Sequence, residues 1–333
     1  MKAKKVIKVI LIAVFAIVIV ICVSIVIFAA AGKSSLERLS KASYPDMTKC
    51  PEVIQEGDAI TYKGDTYTYN ENMISILCMG IDARGESVVG QADMLALVCI
   101  DTEKKSITCI CINRDTIGPV TVCDVAGKPI ATKDMQLALS YSYGKTCADG
   151  RRLCFDSVSG LLHGLPISAS CSLDIDGIGV INSLAGGVCL TALEDVKKAG
   201  LKKGDTAVLS DEQAFYYVTE RKSRSRKVGT NSLRVERQKQ YISGWCETVA
   251  DKLKKNPFGI FDMYNQVKDY IDTDITKSQL LYLAWTIGRI APDSIEICQL
   301  DGTYDRENYY DRYVADEAEL TELIIDTFYR KAE

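Results

Sequence analysis

Three short apolar segments near the middle of the chain constrain its fold more than any other feature. They span residues 73–79, 94–100 and 107–112. Each is rich in β-branched side chains and bounded by turn residues, as expected of strands that are buried on both faces. The polar link over residues 101–105 is short enough to join the last two as an antiparallel hairpin. We therefore expect a buried sheet at the centre of the fold.

Charged side chains lie only at the ends of these segments. Asp82 and Arg84 follow the first, Asp93 precedes the second, and Arg114 and Asp115 follow the third. Carboxylates suit Mg²⁺, which prefers oxygen ligands, and arginines suit phosphate groups. Ion pairs between the same aspartates and arginines would be a purely structural alternative, and the residues alone favour neither. The rim of the sheet is thus a candidate site for a metal ion and a phosphorylated ligand.

The amino-terminal 31 residues combine a basic start with a long apolar segment. Residues 1–8 contain four lysines, and residues 9–31 contain no charged side chain. As a helix, residues 9–31 would span about 34 Å, which is enough to cross the hydrocarbon core of a membrane. A cleavable signal peptide has a shorter apolar region, but the small residues 29–32 keep cleavage as an alternative. We predict a single-pass protein of the cell membrane, with a cytoplasmic amino terminus and an extracellular remainder.

The remainder divides into a polar segment and one large domain. We expect a stalk and edge segment over residues 32–72, with a hairpin at 59–69, and a catalytic domain over residues 73–333. The extracellular location argues against nucleic acid as a partner. The periodicity of apolar residues predicts helices at 134–143, 150–163, 210–222 and 232–254, and strands at 167–175 and 187–193 that form a βα unit of the sheet.

Histidine and cysteine content excludes several kinds of site. His163 is the only histidine, which argues against Ser-His-Asp and Cys-His catalysis and against histidine-rich metal sites. Its position before Gly164 favours a helix cap. The chain has thirteen cysteines but no Cys-x-x-Cys pair, so structural zinc is disfavoured. In an extracellular domain, Cys147 and Cys154 are the best candidates for a disulfide.

Residues 220–239 form a strongly basic stretch, with eight basic side chains against two acidic ones, in a chain of formal net charge −4. A solvated surface is one explanation of such a stretch. If residues 232–254 are helical, however, Arg234 and Arg237 lie beside the buried stripe and can reach over the core into a cleft, with Gln238 on that stripe. Arginines in a cleft suit bidentate binding of phosphate oxygens.

Several ordered motifs resemble those of the LytR-CpsA-Psr family of cell-wall glycopolymer transferases. They are Gly80-Ile81-Asp82-Ala83-Arg84, Ala92-Asp93-Met94-Leu95, Asn113-Arg114-Asp115-Thr116 and Arg234-Val235-Glu236-Arg237-Gln238. The likeness covers roughly residues 73–330. It implies an α/β fold, a three-layer α/β/α sandwich with a central mixed sheet, in which an apolar pocket holds a polyprenyl chain.

The resemblance also implies an activity and a set of site residues. Family members move an anionic glycopolymer, of the teichoic acid or capsular polysaccharide type, from undecaprenyl pyrophosphate to peptidoglycan and form a phosphodiester. Asp82 and Asp93 would bind Mg²⁺ and, with Arg114, form the catalytic group. The pyrophosphate would be bound by Arg84, Arg114, Arg221, Arg234, Arg237 and Gln238.

The sequence also departs from the family pattern. Gln91 and Thr219 stand where the family usually has arginine, and Asn231 stands where it usually has aspartate. These departures motivate an alternative from a different class, a non-catalytic sensor or scaffold that binds polyprenyl phosphates. A lipid-pyrophosphate hydrolase, with water as the acceptor, is a third possibility for the same site.

Overall fold

The computed structural model describes residues 21, 23–83, 89–220, 232–307 and 310–332, with the backbone alone at residues 232, 306 and 307. Its strands are β1 (Val53–Glu56), β2 (Ala59–Tyr62), β3 (Asp65–Tyr69), β4 (Met73–Asp82), β5 (Gln91–Asp101), β6 (Ser106–Ile112), β7 (Ile117–Cys123), β8 (Pro129–Gln136), β9 (Ala169–Asp174), β10 (Cys189–Thr191), β11 (Thr206–Val208), β12 (Ile271–Thr273), β13 (Ile295–Gln299), β14 (Gly302–Glu307), β15 (Tyr310–Ala315) and β16 (Tyr329–Lys331). Its helices are α1 (residues 23–40), α2 (Cys147–Leu161), α3 (Ile178–Ala185), α4 (Asp211–Thr219), α5 (Ser232–Lys255), α6 (Gly259–Val267), α7 (Lys277–Ile287) and α8 (Glu317–Phe328).

A mixed sheet with the strand order β12-β9-β4-β5-β6-β13 forms the centre of the domain. Strand β4 runs parallel to β9, and β6 runs parallel to β13, whereas β5, which lies between β4 and β6, is antiparallel to both. The predicted strands at 73–79, 94–100 and 107–112 lie within β4, β5 and β6 and are confirmed. The predicted hairpin between the last two is confirmed as well.

Helices cover both faces of this sheet. On one face, Leu77 belongs to a buried cluster with Val158 of α2 and Phe328 of α8. On the other face, Ile100 clusters with Leu36 of α1. Because successive side chains of a strand point to opposite faces, the uninterrupted apolar segments feed both clusters. The predicted α/β fold with a central mixed sheet is therefore confirmed.

The predicted membrane segment is described only in part, because residues 9–20 and 22 lie outside the described residues. Within the part that is described, no helix combines the length and the apolar composition needed to cross a membrane. The predicted stalk, residues 32–72, includes the end of α1 and strands β1 to β3. Leu36 of α1 is fully buried in the domain core, and the predicted hairpin at 59–69 is confirmed as β2 and β3, with β3 paired to β16.

Two predicted elements are wrong. Residues 134–143 do not form a helix, because β8 pairs with β7 through Gln136 and short 3-10 turns follow at Leu137–Leu139 and Tyr141–Tyr143. Strand β10 does not join the central sheet with β9, since it pairs with β11 in a separate two-stranded sheet. In both cases a partner strand that lies close in the chain satisfies the backbone hydrogen bonds locally.

Cys147 and Cys154 do not form the predicted disulfide. Both lie on α2, seven residues apart, so their Cα atoms are separated by about 10 Å along the helix axis. A disulfide requires less than about 7 Å. Every cysteine that the structure describes is a free thiol, and burial raises the pKa of Cys154 to about 12.

Candidate functional site

An apolar pocket of about 920 Å³ lies between the end of β4, the start of β5 and helices α3, α4 and α5. Its apolar lining consists of Ile81, Met94, Leu173, Ile175, Ile178, Ile181, Val218, Tyr241, Ile242 and Trp245. The volume is at the upper end of the range typical of ligand pockets. An interior of this size and composition suits an extended apolar ligand.

Hydrogen bonds fix α5 against α3, so that the apolar faces of the two helices border the same pocket. The indole nitrogen of Trp245 donates to the carbonyl of Ile181 over 2.9 Å. The hydroxyl of Tyr241 donates to the side-chain oxygen of Asn182 over 3.4 Å. Both tyrosine and tryptophan thus place their polar atoms on helix α3 and leave their rings to line the pocket.

Polar side chains form one cluster in the pocket wall. Its members are Asp82, Gln91, Asp93, Arg114, Thr219, Arg234 and Gln238. They come from β4, β5, the residues after β6, the end of α4 and the start of α5. The sheet and two helices therefore converge on a site that separate parts of the sequence supply.

A β-bulge directs Asp93 into this cluster. Gly80 pairs with Met94 and Ile81 pairs with Ala92, so Asp93 is an extra residue on β5. A bulge re-aims the side chain at the irregularity. As a result the successive residues Asp93 and Met94 both line the pocket.

Two arginines hold Asp93 between them. Arg114 forms an ion pair with Oδ1, and Nη1 of Arg234 lies 3.2 Å from Oδ2. The other terminal nitrogen of Arg234 donates to the backbone carbonyl of Asp93 over 3.2 Å. The Arg234 side chain is only 3% exposed, so its charge is desolvated and depends on this carboxylate. Arg114 and Arg234 thus bring two guanidinium groups to the pocket wall, and guanidinium groups suit the oxygens of an anionic ligand.

A second set of contacts orients Arg114. Its Nη2 donates to Oε1 of Gln91 over 2.9 Å, and its Nε lies 3.5 Å from Oδ1 of Asp115. Gln136 donates to the same Asp115 oxygen over 3.1 Å. The backbone N–H of Tyr313 in β15 donates to the Asp115 carbonyl over 2.9 Å. The segment that carries Arg114 is therefore anchored to the β14–β15 hairpin.

The structure brings most of the predicted site residues together. Asp82, Asp93, Arg114, Arg234 and Gln238 all line the pocket. Arg84 and Arg221 lie outside the described residues.

Arg237 lies elsewhere. It is buried against the last turn of α4 and the Glu194 carboxylate, and it is not among the residues that line the pocket. The predicted phosphate ligands on α5 thus divide into a pocket pair, Arg234 and Gln238, and this separate arginine.

Asp82 and Asp93 are the candidate Mg²⁺ ligands among the residues that line the pocket. Asp82 pairs with Gln91 across β4 and β5, and both aspartates line the same pocket. A carboxylate offers about four lone pairs, so Asp93 can accept from two arginines and still offer a lone pair to a cation. With two carboxylate ligands, Mg²⁺ would retain several waters, as it commonly does.

Two contacts of the predicted site residues are not identified by sequence reasoning alone. Gln91 is noted as a departure from the family motif, but its hydrogen bond to Arg114 depends on the pairing of β4 with β5. Glu194, which faces Arg237, lies in a loop after β10 that has no motif. Contacts of this kind join residues that are far apart in sequence, so local patterns do not reveal them.

Comparison with known proteins identifies the family of this chain. The model of the LytR_cpsA_psr family matches residues 40–327, which is most of the chain and includes every element of the pocket. The chain belongs to the LytR-CpsA-Psr family. The resemblance drawn from the sequence motifs is thereby confirmed.

Two relatives within the LytR-CpsA-Psr family have names that state an activity. Polyisoprenyl-teichoic acid–peptidoglycan teichoic acid transferase TagU of Halalkalibacterium halodurans is 25% identical over 175 residues, which cover 52% of each chain. TagV of Bacillus subtilis, which is also named a polyisoprenyl-teichoic acid–peptidoglycan teichoic acid transferase, is 22% identical over 263 residues. The match covers 76% of this chain and 62% of that protein. The matches thus span about half and less than two thirds of these relatives.

Solved structures of the LytR-CpsA-Psr family have the same fold. The crystal structure of B. subtilis TagV aligns with a TM-score of 0.61 and 22% identity, covering 77% of this chain and 97% of that one. A structure described as TagT bound to LI-WTA aligns with a TM-score of 0.59 and 18% identity, covering 86% and 97% of the two chains. At these identities the comparison establishes the fold.

Proposed function

We propose that this protein is a Mg²⁺-dependent phosphotransferase that moves an anionic glycopolymer from undecaprenyl pyrophosphate to peptidoglycan. One observation carries the proposal: an apolar pocket of about 920 Å³ contains, in its own wall, two arginines paired with an aspartate. A polyprenyl pyrophosphate has this combination of a long apolar chain and a compact anion. The names of TagU and TagV, which are teichoic acid transferases, support the same class of polymer and acceptor.

In the proposed reaction, an acceptor hydroxyl oxygen forms a bond to the phosphorus on the polymer side. The bridging P–O bond then breaks, lipid phosphate leaves, and the hydroxyl proton passes to a carboxylate, for which Asp82 is the candidate. Arg114 and Arg234 stabilise the charge that develops on the leaving phosphate. Bound Mg²⁺ would supply further neutralisation of the pyrophosphate at Asp82 and Asp93.

The test incubates the purified full chain with a synthetic prenyl-pyrophosphate-linked saccharide, Mg²⁺ and peptidoglycan oligomers. Mass spectrometry should detect a phosphodiester-linked product that is lost in Asp82→Asn. Asp326→Asn, which changes an exposed aspartate on α8, is the matched control and should keep the activity. Free polymer phosphate formed without the acceptor would instead indicate the hydrolase. Donor binding without any product, even in the unmodified protein, would indicate the sensor or scaffold.

We also propose that residues 9–31 anchor the protein in the cell membrane, with the pocket on the extracellular side. The absence of charge from this segment and the lysines before it support the orientation. Cys147 is exposed on α2, so a membrane-impermeant maleimide added to intact cells should label it. Labelling only after cell lysis would reverse the proposed topology.

A further inference from the structure

Arg237 closes the carboxyl end of α4. Its two terminal nitrogens donate to the backbone carbonyls of Tyr217 and Glu220, and its Nε lies 3.1 Å from Oε1 of Glu194. The guanidinium also lies 5.7 Å from the centre of the Tyr217 ring. Carbonyls at a helix carboxyl end carry partial negative charge, so a cation is stabilised there.

The Arg237 side chain is buried. Its exposed fraction is 3%, and that of Glu194 is 10%. Burial lowers the pKa of Arg237, and the nearby Glu194 carboxylate opposes that change. A pyrophosphate could contact this guanidinium only after displacing the Glu194 carboxylate or the α4 carbonyls, and Arg237 does not line the pocket.

The turn that Arg237 closes is part of the pocket wall. Val218 and Thr219, in the last turn of α4, both line the pocket. The next residue of α5, Gln238, lines the pocket and donates to the Val218 carbonyl over 3.2 Å. Arg237 and Gln238 therefore hold this wall against α5, the helix that also carries Arg234.

We propose that Glu194 and Arg237 are positioning residues, a buried ion pair that sets the distance between the Val218–Thr219 wall and the Arg234–Asp93 cluster. The proposal rests on the proposed function, because the geometry it fixes is that of the transfer site. Glu194 keeps the Arg237 guanidinium in the plane from which it reaches both α4 carbonyls. Neither residue touches the substrate, so their effect on the reaction is indirect.

A double-substitution experiment tests this proposal on the full chain. The variants are Glu194→Gln, Arg237→Gln and the pair together. Glu236→Gln is the matched control, because that exposed carboxylate pairs with Lys239 on the same helix. Removing one partner of a buried ion pair destabilises a protein by leaving the other charge uncompensated, whereas removing both leaves no uncompensated charge. The double variant therefore keeps the test valid if a single variant fails to fold.

Two readouts separate positioning from direct binding. Trp245 lines the pocket, and the only other tryptophan is Trp285 on α7, so a Trp285→Phe background makes fluorescence report on the pocket alone. Titration with the prenyl-pyrophosphate-linked saccharide gives the donor Kd, and product formation gives kcat. Thermal unfolding shows that each variant is folded at the assay temperature.

We expect kcat to fall about 10- to 100-fold in the folded variants, the scale of a misplaced reacting geometry. The donor Kd should stay within about threefold, and the double variant should lose no more than the more affected single variant, since both residues act through one contact. Glu236→Gln should match the unmodified protein.

Weak donor binding in Arg237→Gln with normal binding in Glu194→Gln would make Arg237 a phosphate ligand and overturn the proposal. Unchanged kcat in folded variants would overturn it as well.

The readout does not depend entirely on turnover. If the unmodified protein binds donor and makes no product, the proposed function fails, but the position of the wall is still measurable. Acrylamide quenching of Trp245 should then increase in the three ion-pair variants and remain unchanged in Glu236→Gln. Equal quenching in all four proteins would overturn the positioning role independently of the activity.

Discussion

Arg114 contacts three polar side chains at the site. It pairs with Asp93, donates to Gln91 and lies beside Asp115, and its side chain is only 12% exposed. These contacts fix the planar guanidinium without covering it completely, because the residue still lines the pocket. Such an arrangement lets an arginine bind an anion with little loss of side-chain entropy.

We predict that Arg114→Ala weakens donor binding by about 1.5–3 kcal/mol, the scale of a hydrogen bond to a charged group. Fluorescence titration of Trp245 with the prenyl-pyrophosphate-linked saccharide measures the change. Arg152→Ala removes a 60% exposed arginine that pairs with Asp156 on α2, and this control should bind normally. Equal affinities for Arg114→Ala and the unmodified chain would remove Arg114 from the phosphate site.

The residues of the pocket could be predicted from sequence where they end a strand or follow one face of a helix. Asp82, Asp93 and Arg114 flank the apolar strands, so their convergence follows from the pairing of β4, β5 and β6. Arg237 does not join them, although three steps of about 100° leave it only about 60° around the helix from Arg234. Three residues after Arg234, this side chain is directed to α4, and only the packing of the two helices determines what it meets there.

At the level of elements, the contact between α1 and α7 is unusually close. A Cβ atom on Gly32 would lie 2.3 Å from the carbonyl oxygen of Ser278. Gln279 donates from its side chain to the Ser35 hydroxyl over 3.1 Å, and Leu36 is fully buried. The end of α1 therefore packs as part of the core, through backbone atoms that cannot move aside.

Gly32→Ala should lower the free energy of unfolding by about 1–3 kcal/mol, the usual cost of overpacking, since the new methyl group meets backbone atoms. Urea unfolding followed by tryptophan fluorescence measures this change. Gly259→Ala is the matched control, because a Cβ there meets its nearest neighbour, Asn256, at an ordinary 3.6 Å. A Gly32→Ala protein as stable as Gly259→Ala would show that α1 does not pack against α7 as described.

Strands could be predicted where burial gives the sequence a pattern of apolar residues. They could not be predicted where only pairing with another strand keeps the chain extended. Strands β4 to β6 have apolar side chains on both faces, which marks them clearly. Strand β8 is exposed along most of its length and lacks that signal. Its residues Asp134–Gln136 run into the apolar Leu137–Leu139, so together they mimic the start of a helix, and the hydrogen bonds to β7 are what keep them extended.

For the molecule as a whole, His163 links stability to pH in a way that can be assigned to one residue. Burial lowers the pKa of its imidazole, and Nε2 has no hydrogen-bond partner among the described residues. The unfolded chain therefore binds a proton at a higher pH than the folded one. Stability from the neutral imidazole is complete above the unfolded pKa of about 6.5 and is lost as the pH falls below it.

We expect the unmodified chain to lose stability as the pH falls below about 6.5, whereas His163→Asn should show a flatter profile over the same range. Asparagine is chosen because His163 has a φ of 56°, a conformation that asparagine tolerates. Urea midpoints at several pH values measure both profiles. Parallel profiles would contradict a neutral buried imidazole, since His163 is the only histidine.

The continuity of α1 limits how the molecule can operate. Residues 23–40 form an unbroken helix of about 27 Å whose last turns are built into the core. A flexible linker would let the domain reorient freely, whereas this continuous helix moves with the domain as one rigid unit. Any structure that holds the amino-terminal end of α1 therefore also fixes the position and orientation of the pocket opening. In the membrane-anchored arrangement proposed above, the length of this helix would set the distance between the membrane and the pocket mouth.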